Sequence, residues 1–435
     1  MIYLVHHIKY VTVVTLIASV LFLASNKLTA QVTDPARREE AKADTVGLEE
    51  CIAIALENNL ELAAARKRLD TAEADRIKAS LLFPSNPKLD SRIGSRNSPS
   101  PTGRTTDYSF SLSQEFQVYG QRRKRINVSD KMIERVKFEI ADVERNVIAK
   151  VKTRFYEALT ATKIFKLREY VQSIFEKLWD ATRERFNAGA ISALELNSIQ
   201  IGYGQAKQQL LVAKSDYQNS LLNLKLLLGK PGNETLNIEE DMHFEKLQIS
   251  MEDILTSAYK ERPDLKAKEF ENERASQEIS LRKVEIIPNP QFQGFFSREE
   301  GDVDIVGGQV SISIPVWDRK QSELKKAKTV KEKASINIKQ KQLEIQKEVE
   351  TAYQTFMAAK GGIAIYTDEI MPQVDESLRL NEISYQDGNT SFIEFLTMQK
   401  NLIETRVAYL NTLLAYNRAI INLETVSGKK LISND

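Results

Sequence analysis

Thiols and imidazoles are almost missing from this chain: one cysteine, Cys51, and three histidines among 435 residues. A lone cysteine excludes an intrachain disulfide, and the apolar helical pattern around Cys51 makes it a small buried hydrophobe. His6 and His7 lie at the very start, so His243 is the only imidazole in the body of the chain and no His/Cys metal cluster can form within one copy. No nucleophile elbow, phosphate loop or H-E-x-x-H pattern occurs. Carboxylates are plentiful, but on long amphipathic helices they are solvated faces. The chain reads as a non-enzyme that needs no cofactor and binds no resident metal. An excess of either charge is lacking too. With 61 Lys and Arg against 60 Asp and Glu, there is no electrostatic case for nucleic acid.

Long apolar runs are absent after the N-terminus, so no transmembrane helix is expected. The one apolar stretch covers residues 11–24, preceded by His6, His7 and Lys9 and followed by polar residues up to Ala30. It reads as a secretory signal peptide over 1–30, with a core too short to span a bilayer; a retained anchor is the alternative. Removing it takes away Lys9 and Lys27 and moves the net charge from +1 to −1. An exported chain of this kind can enter a membrane only as a closed β-barrel. Glycine and proline are scarce as well, 17 and 11 in all, and neither occurs between Gln121 and Ala188. At about 1.5 Å per residue that stretch allows a helix of roughly 100 Å.

What is present is a chain written twice. Residues 48–90 fall on 251–293 without a gap, and Asn86-Pro87 lands on Asn289-Pro290. Further on, RFNAGAISALELNSIQ (185–200) meets SYQDGNTSFIEFLTMQ (384–399), which pairs Gly189 with Gly388, Glu195 with Glu394 and Tyr217 with Tyr416. Gly229-Lys230 falls on Gly428-Lys429. The domains expected are therefore 45–230 and 251–429, with 231–250 between them. Each copy predicts helix, two strands, very long helix, tight turn, long helix. Apolar residues at steps of three or four in the return helices (Leu210, Ala213, Tyr217, Leu221, Leu224, Leu228; Tyr409, Leu413, Tyr416, Ile420, Leu423) make coiled-coil seams. Gly361-Gly362 and Pro372 predict a break or bulge in the second long helix.

Strands are expected over about 87–117 and 290–317. Tyr108, Phe110, Leu112 and Phe116 alternate with Ser109, Ser111, Ser113 and Glu115, and Val310, Ile312 and Ile314 with Gln309, Ser311 and Ser313. Leu89, Ile93, Phe292 and Phe296 mark the other strands. Such alternation fits a barrel wall with lipid outside and water inside, and also a half-buried sheet in a soluble domain. Tyr119 and Trp317, just past the strands, suit an interfacial aromatic belt, and Tyr108 and Phe116 are expected at the membrane interface as well. Four strands cannot close a barrel, since single-chain outer-membrane barrels begin at about eight. Two chains would close a narrow one filled by side chains; three leave a lumen, so a trimer is expected.

The repeated NP, the junctions SQEFQVYGQRRKR and ISIPVWDRKQSE and the tips RFNAGAIS and SYQDGNTS resemble the TolC-type outer-membrane efflux proteins over about residues 45–430. The junctions and IIPNPQ are most similar to the heavy-metal branch, the outer components of cobalt–zinc–cadmium pumps. The resemblance implies a mainly α fold with a transmembrane β-barrel: a homotrimer with a twelve-stranded barrel in outer-membrane lipid, a periplasmic α-barrel, and an equatorial belt from 231–250 plus the termini. It implies a passive gated duct in the outer membrane of a Gram-negative-type cell. Its partners would be a periplasmic adaptor and an inner-membrane pump of the proton-driven resistance-nodulation type.

Carried over to residues, Gly189 with Ala190 and Gly388 with Asn389 would form the adaptor-facing tips. Glu394 would form an anionic ring at the constriction, with Glu195 its counterpart in the first copy; either could equally be an exposed helix carboxylate. Tyr385 would serve the gate. Thr390 replaces an arginine clamp and Thr397 a second acidic ring, so a closed state would rest on other contacts. Two other functions remain open: a duct for an ATP-driven protein or peptide secretion system, and a periplasmic adaptor. An adaptor would carry one helical hairpin with lipoyl-like domains, not a duplicated chain with alternating strands.

Overall fold

A computed structural model describes residues 45–431 apart from 84, 98–102, 241, 243, 245, 300–302, 387, 388 and 391. The expected leader, His243, Gly388 and the middle of both hairpin loops lie outside the described residues. The first copy comprises β1 (Thr45–Val46), α1 (Leu48–Asn58), α2 (Leu60–Ser80), β2 (Lys88–Asn97), β3 (Arg104–Glu115), α3 (Gln121–Asn187) and α4 (Ala193–Leu227). The second comprises β4 (Asn237–Ile238), α5 (Met251–Glu261), α6 (Pro263–Val284), β5 (Gln291–Glu299), β6 (Val303–Ser311), α7 (Gln321–Ile365), α8 (Met371–Gln386) and α9 (Phe392–Ser427). Among the described residues no helix is long and apolar enough to cross a membrane.

The opening helix of each copy is expected to be continuous, and it is broken in both. Asn59 is extended (φ −67°, ψ 123°); its side-chain oxygen accepts the Leu62 N–H at 3.1 Å and caps α2. Its amide donates to the Leu227 carbonyl at 2.9 Å, at the far end of α4. In the second copy Pro263 opens α6 and disfavours a helical Arg262 before it. Arg262 donates to the Val426 carbonyl at 3.5 Å. Two unrelated side chains thus tie the same joint, and the apolar period running through it gave no sign of a break. The repeated Gly-Lys pair belongs to this joint. Gly229 sits at φ +67°, where a Cβ would stand 2.6 Å from the Asn58 carbonyl oxygen; Gly428 sits at φ +69° against Glu261 and Arg262.

The 67 residues of α3 give a rod of roughly 100 Å. Its counterpart runs α7 to α8 through a π segment, Tyr366–Ile370, between Gly361-Gly362 and Pro372, where the sequence predicts an interruption. Before that segment the buried positions of the two rods match at an offset of 198: Val136 with Ala334, Val147 with Ile345, Val151 with Val349. Beyond it the tips match at 199. The π turn holds the one extra residue.

Each copy has its own core. Phe155, Val147, Val151, Leu221, Leu224 and Cys51 pack in the first; Phe356, Ile345, Val349, Tyr416 and Leu423 pack in the second. Burial pushes the Cys51 thiol up to about 12. Across the copies α3 and α9 are tied by Lys152–Glu424 at 2.6 Å, both nearly buried, by Arg145 donating to the Thr425 carbonyl, and by a two-pronged Arg168–Glu404 pair at 3.0 and 3.2 Å. Thr45 and Val46 pair in parallel with Asn237 and Ile238 between the copies. Near the α5–α6 joint, Asp264 accepts from Arg262 at 2.7 Å and Lys341 at 2.8 Å. Burial alone would raise this carboxyl, yet the two cations hold it well below the usual carboxylate range.

Candidate functional site

The four long strands form one antiparallel sheet in the order β2-β3-β5-β6. Ser113 faces Lys88 in the first hairpin, Ser311 faces Gln291 in the second, and β3 joins β5 with Tyr108 opposite Arg298 and Leu112 opposite Gly294. This register gathers Leu89, Ile93, Tyr108, Phe110, Leu112, Phe292, Phe296, Val306 and Val310 on one face. The other face carries Lys88, Asp90, Arg92, Ser109, Ser111, Ser113, Gln291, Gln293, Gln309 and Ser311, crossed by Arg96 bonding to Asp107 at 2.8 Å and to Glu299 at 3.5 Å. Three apolar residues break the polar face: Val303 and Ile305 beside the hairpin loop, and Phe295, whose ring occupies the space a Cβ on Gly307 would need. Most of the apolar face is exposed in the single chain.

The four aromatics expected at the membrane interface sit at two levels. Tyr108 is near the hairpin end, edge-on to Phe110 and beneath Arg298, which pairs with Asp304 at 2.6 Å. Phe116 is at the helix end, packed edge-to-face between Phe83 and Phe292. Tyr119 and Trp317 lie beyond it, 52% and 89% exposed. Eight residues separate Tyr108 from Phe116, roughly 26 Å of strand, against an apolar band of about 25 Å in outer-membrane barrels.

The sheet meets the helices through a polar knot that sequence reasoning missed. Gln121, buried at the start of α3, donates to Asn289 at 3.0 Å, and Asn289 donates to Glu115 at 2.6 Å. The Phe116 N–H donates to the Pro290 carbonyl at 2.9 Å, prolonging the β3–β5 ladder. The repeated NP was the available signal.

At the opposite end each copy turns back on itself. Gly189 takes φ +73°, its N–H donates to Phe186 at 2.8 Å and the Ala190 N–H donates to Arg185 at 2.9 Å, a Schellman closure. The Asn389 N–H donates to Ser384 at 2.9 Å, the same bond in the second copy. Ser192 caps α4 by accepting the Glu195 N–H at 3.3 Å, so Glu195 occupies the third position of a capping box. Glu394 is in the first turn of α9 and exposed. Thr390 shares a hydrogen bond with the Ser384 hydroxyl inside its own turn, and the Thr397 hydroxyl donates to the Ile393 carbonyl at 2.8 Å. Tyr385 falls in the last turn of α8. The buried Asn381 amide, donating to the Phe395 carbonyl at 3.1 Å, ties the two tip helices and was not anticipated. Behind the tips Phe175, Val171, Ala206 and Ile403 form a third core, with Gly202 under the Phe175 ring. Among the described residues no three His, Cys, Asp or Glu side chains gather as a metal site.

The family described as outer membrane efflux protein matches this chain over residues 51–230 and 254–429. The chain belongs to that family. It is 21% identical over 402 residues to the cobalt-zinc-cadmium resistance protein CzcC of Cupriavidus metallidurans, covering 89% of this chain and 91% of the relative. The toluene efflux pump outer membrane protein TtgC of Pseudomonas putida is 23% identical over 412 residues, 88% of this chain and 82% of its own. Among solved structures the CusC transmembrane channel superposes with a TM-score of 0.70 at 17% identity, over 92% of this chain and 99% of its own. The two-faced sheet, the paired rods and the two closed tips are thus the fold of outer-membrane efflux channels.

Proposed function

We propose that three copies of this chain form the exit duct of a tripartite efflux system, with metal cations as cargo. The observation that carries the reading is the open four-stranded sheet, apolar on one face and polar on the other, with both edge strands unpaired in the single chain. In lipid such edges must be closed, and twelve strands enclose a lumen wide enough for water. The rods then line a periplasmic tube, residues 231–250 with β1 and the C-terminal end encircle it, and the tips at Gly189-Ala190 and Gly388-Asn389 meet a periplasmic adaptor that links to a proton-driven inner-membrane pump. Tyr385, Thr390 and Thr397 lie at the same end, so gating belongs there. Three Glu394 carboxylates converging at the narrow end would favour cations, with Glu195 set by the duplication at the matching place.

The cargo reading leans on the likeness to CzcC. Its test is complementation: cells lacking their own outer component of a cobalt–zinc–cadmium pump, supplied with this chain, should regain resistance to those metals. Restored tolerance to organic solvents or antibiotics without metals would move the cargo to small organic molecules. In planar bilayers the purified duct should pass cations over anions, and Glu394→Gln should lower that preference. An unchanged selectivity would remove Glu394 from the constriction.

A further inference from the structure

The two ends of the sheet treat their cations differently. At the hairpin end Arg96 is matched by Asp107 and Glu299, and Arg298 by Asp304. At the helix end, residues 118–126 hold Arg122, Arg123, Lys124 and Arg125 with no acid among them, although the whole chain is balanced at 61 against 60. Lys78, near the end of α2, joins them. Among the described residues these side chains form no ion pair with a carboxylate. Arg122 donates to the Ser80 carbonyl at 2.8 Å and Arg125 to the Gln117 side chain at 2.6 Å.

A hollow of about 320 Å³ opens beside them, between the end of α2, the start of α3 and the end of α6. Leu81, Phe83, Val128 and Leu281 give it an apolar wall, and Lys78 and Arg125 line it as well. Phe83 places it on the membrane side of the sheet. Its ring is edge-on to Phe116, which packs on Phe292 of the apolar face. Asp75, the one acid in the lining, sits more than a turn down α2, away from the sheet. Burial, with Arg122 alongside, lowers the Arg125 pKa against the pull of Glu285, which is itself paired with Arg282 at 2.7 Å. A guanidinium without a counterion, beside an apolar hollow, is complementary to an anion that carries acyl chains. The duplicated scaffold does not require this arrangement. Gln121 and Gln321 both open a long helix, and on that alignment Arg122 falls on Ser322; Lys78 falls on Leu281 at the offset of 203. The cluster belongs to the first copy alone.

We propose, resting on the duct reading above, that this hollow binds an anionic phospholipid of the periplasmic leaflet. Lys78, Arg122 and Arg125 hold the phosphate, and an acyl chain lies against Leu81, Phe83, Val128 and Leu281. The helices leave the sheet on the periplasmic side, so the hollow stands at the level of the leaflet built from phospholipid. It lies over α3, which packs between α2 and α6, away from the open edges of the sheet. Each protomer thus has its own lipid, and the lipids fix the depth at which the duct sits.

Native mass spectrometry of the full-length trimer, purified in detergent, reads lipid and assembly in one spectrum. With added phosphatidylglycerol the wild type should keep about one lipid per protomer, and phosphatidylcholine at the same concentration should be lost. A cation close to an anionic lipid strengthens binding roughly fivefold. Lys78→Gln should therefore weaken retention about fivefold, and Lys78→Gln with Arg122→Gln and Arg125→Gln at least about tenfold. Lys78 is exposed, so its single variant tests the site without touching the packing. Leu81→Asn keeps every charge and should also loosen the lipid. Lys325→Gln with Lys326→Gln and Lys328→Gln removes exposed cations of the second copy and should leave retention unchanged. Equal loss in that variant, or equal retention of phosphatidylcholine, overturns the site. Displacement of the lipid by inorganic phosphate would make this a site for free anions and overturns the lipid assignment. A trimer that keeps no phosphatidylglycerol overturns the proposal and leaves the duct intact. A chain recovered as a soluble monomer overturns the duct reading itself.

Discussion

At the scale of single residues, Gly229 and Asp264 are two positions where the chain has little freedom. At Gly229 any side chain meets both a left-handed backbone, at about 1–2 kcal/mol, and the Asn58 carbonyl oxygen. Gly229→Ala should therefore cost at least about 2 kcal/mol, read as a lowered melting temperature of the solubilised trimer. Gly204→Ala, in open space on an exposed helical face, should instead stabilise by about 0.5–1 kcal/mol. Asp264→Asn leaves Arg262, only 3% exposed, with Glu348 as its remaining carboxylate, and should cost about 3 kcal/mol at neutral pH. Because the folded carboxyl titrates below its unfolded value of about 3.9, its contribution is present above that value and is lost as pH falls through the folded pKa. The gap between wild type and Asp264→Asn in unfolding experiments should accordingly close in strong acid and stay constant between about pH 5 and 7. The Gly-Lys pairs were visible in the sequence as a repeat, but their reason was not, since it lies where the chain passes Asn58 and Glu261, far away in sequence. Asn59 and Arg262 were invisible as counterparts because different chemistry makes the same tie.

The elements were more legible than their joints. Rods without glycine or proline and strands with period two follow from local pattern, and both were found at nearly the expected limits; β6 ends early, at Ser311, because its outer edge has no partner in one chain. The joints depend on single residues. A shift in the repeat offset from 198 to 199 is, in sequence, only a misalignment; in the structure it is the π segment Tyr366–Ile370. Deleting Thr367, whose buried hydroxyl finds no partner there, should restore an ordinary helix and turn everything beyond it by about 100°. We expect normal amounts of trimer in the outer membrane but loss of efflux, measured as resistance in the complementation strain. Retained efflux would mean that the second tip needs no fixed azimuth. The candidate site was legible in part for the same reason. The first tip turn is local Schellman geometry and could be read from Gly189. The inward tie of Thr390 to Ser384 and the Asn381 bridge depend on how two helices meet, which no spacing encodes.

For the whole molecule, the two faces of the sheet make opposite demands. Leu112 and Ser111 are neighbours in β3 on opposite faces. Leu112→Arg should destabilise the assembled duct by about 2–4 kcal/mol, the midplane cost of a lipid-facing cation, while Ser111→Arg should be tolerated and alter conductance instead. Urea titration in lipid vesicles with single-channel recording separates the two. The seam between β3 and β5 has a further consequence, for assembly. A ring made from six separate hairpins would need every junction to form by collision, each costing translational freedom. Covalent duplication makes half of those junctions intramolecular, where the local concentration is set by the tether and not by expression. Ring closure then depends on the third power of chain concentration, not the sixth, so a cell that makes few copies can still complete its pores.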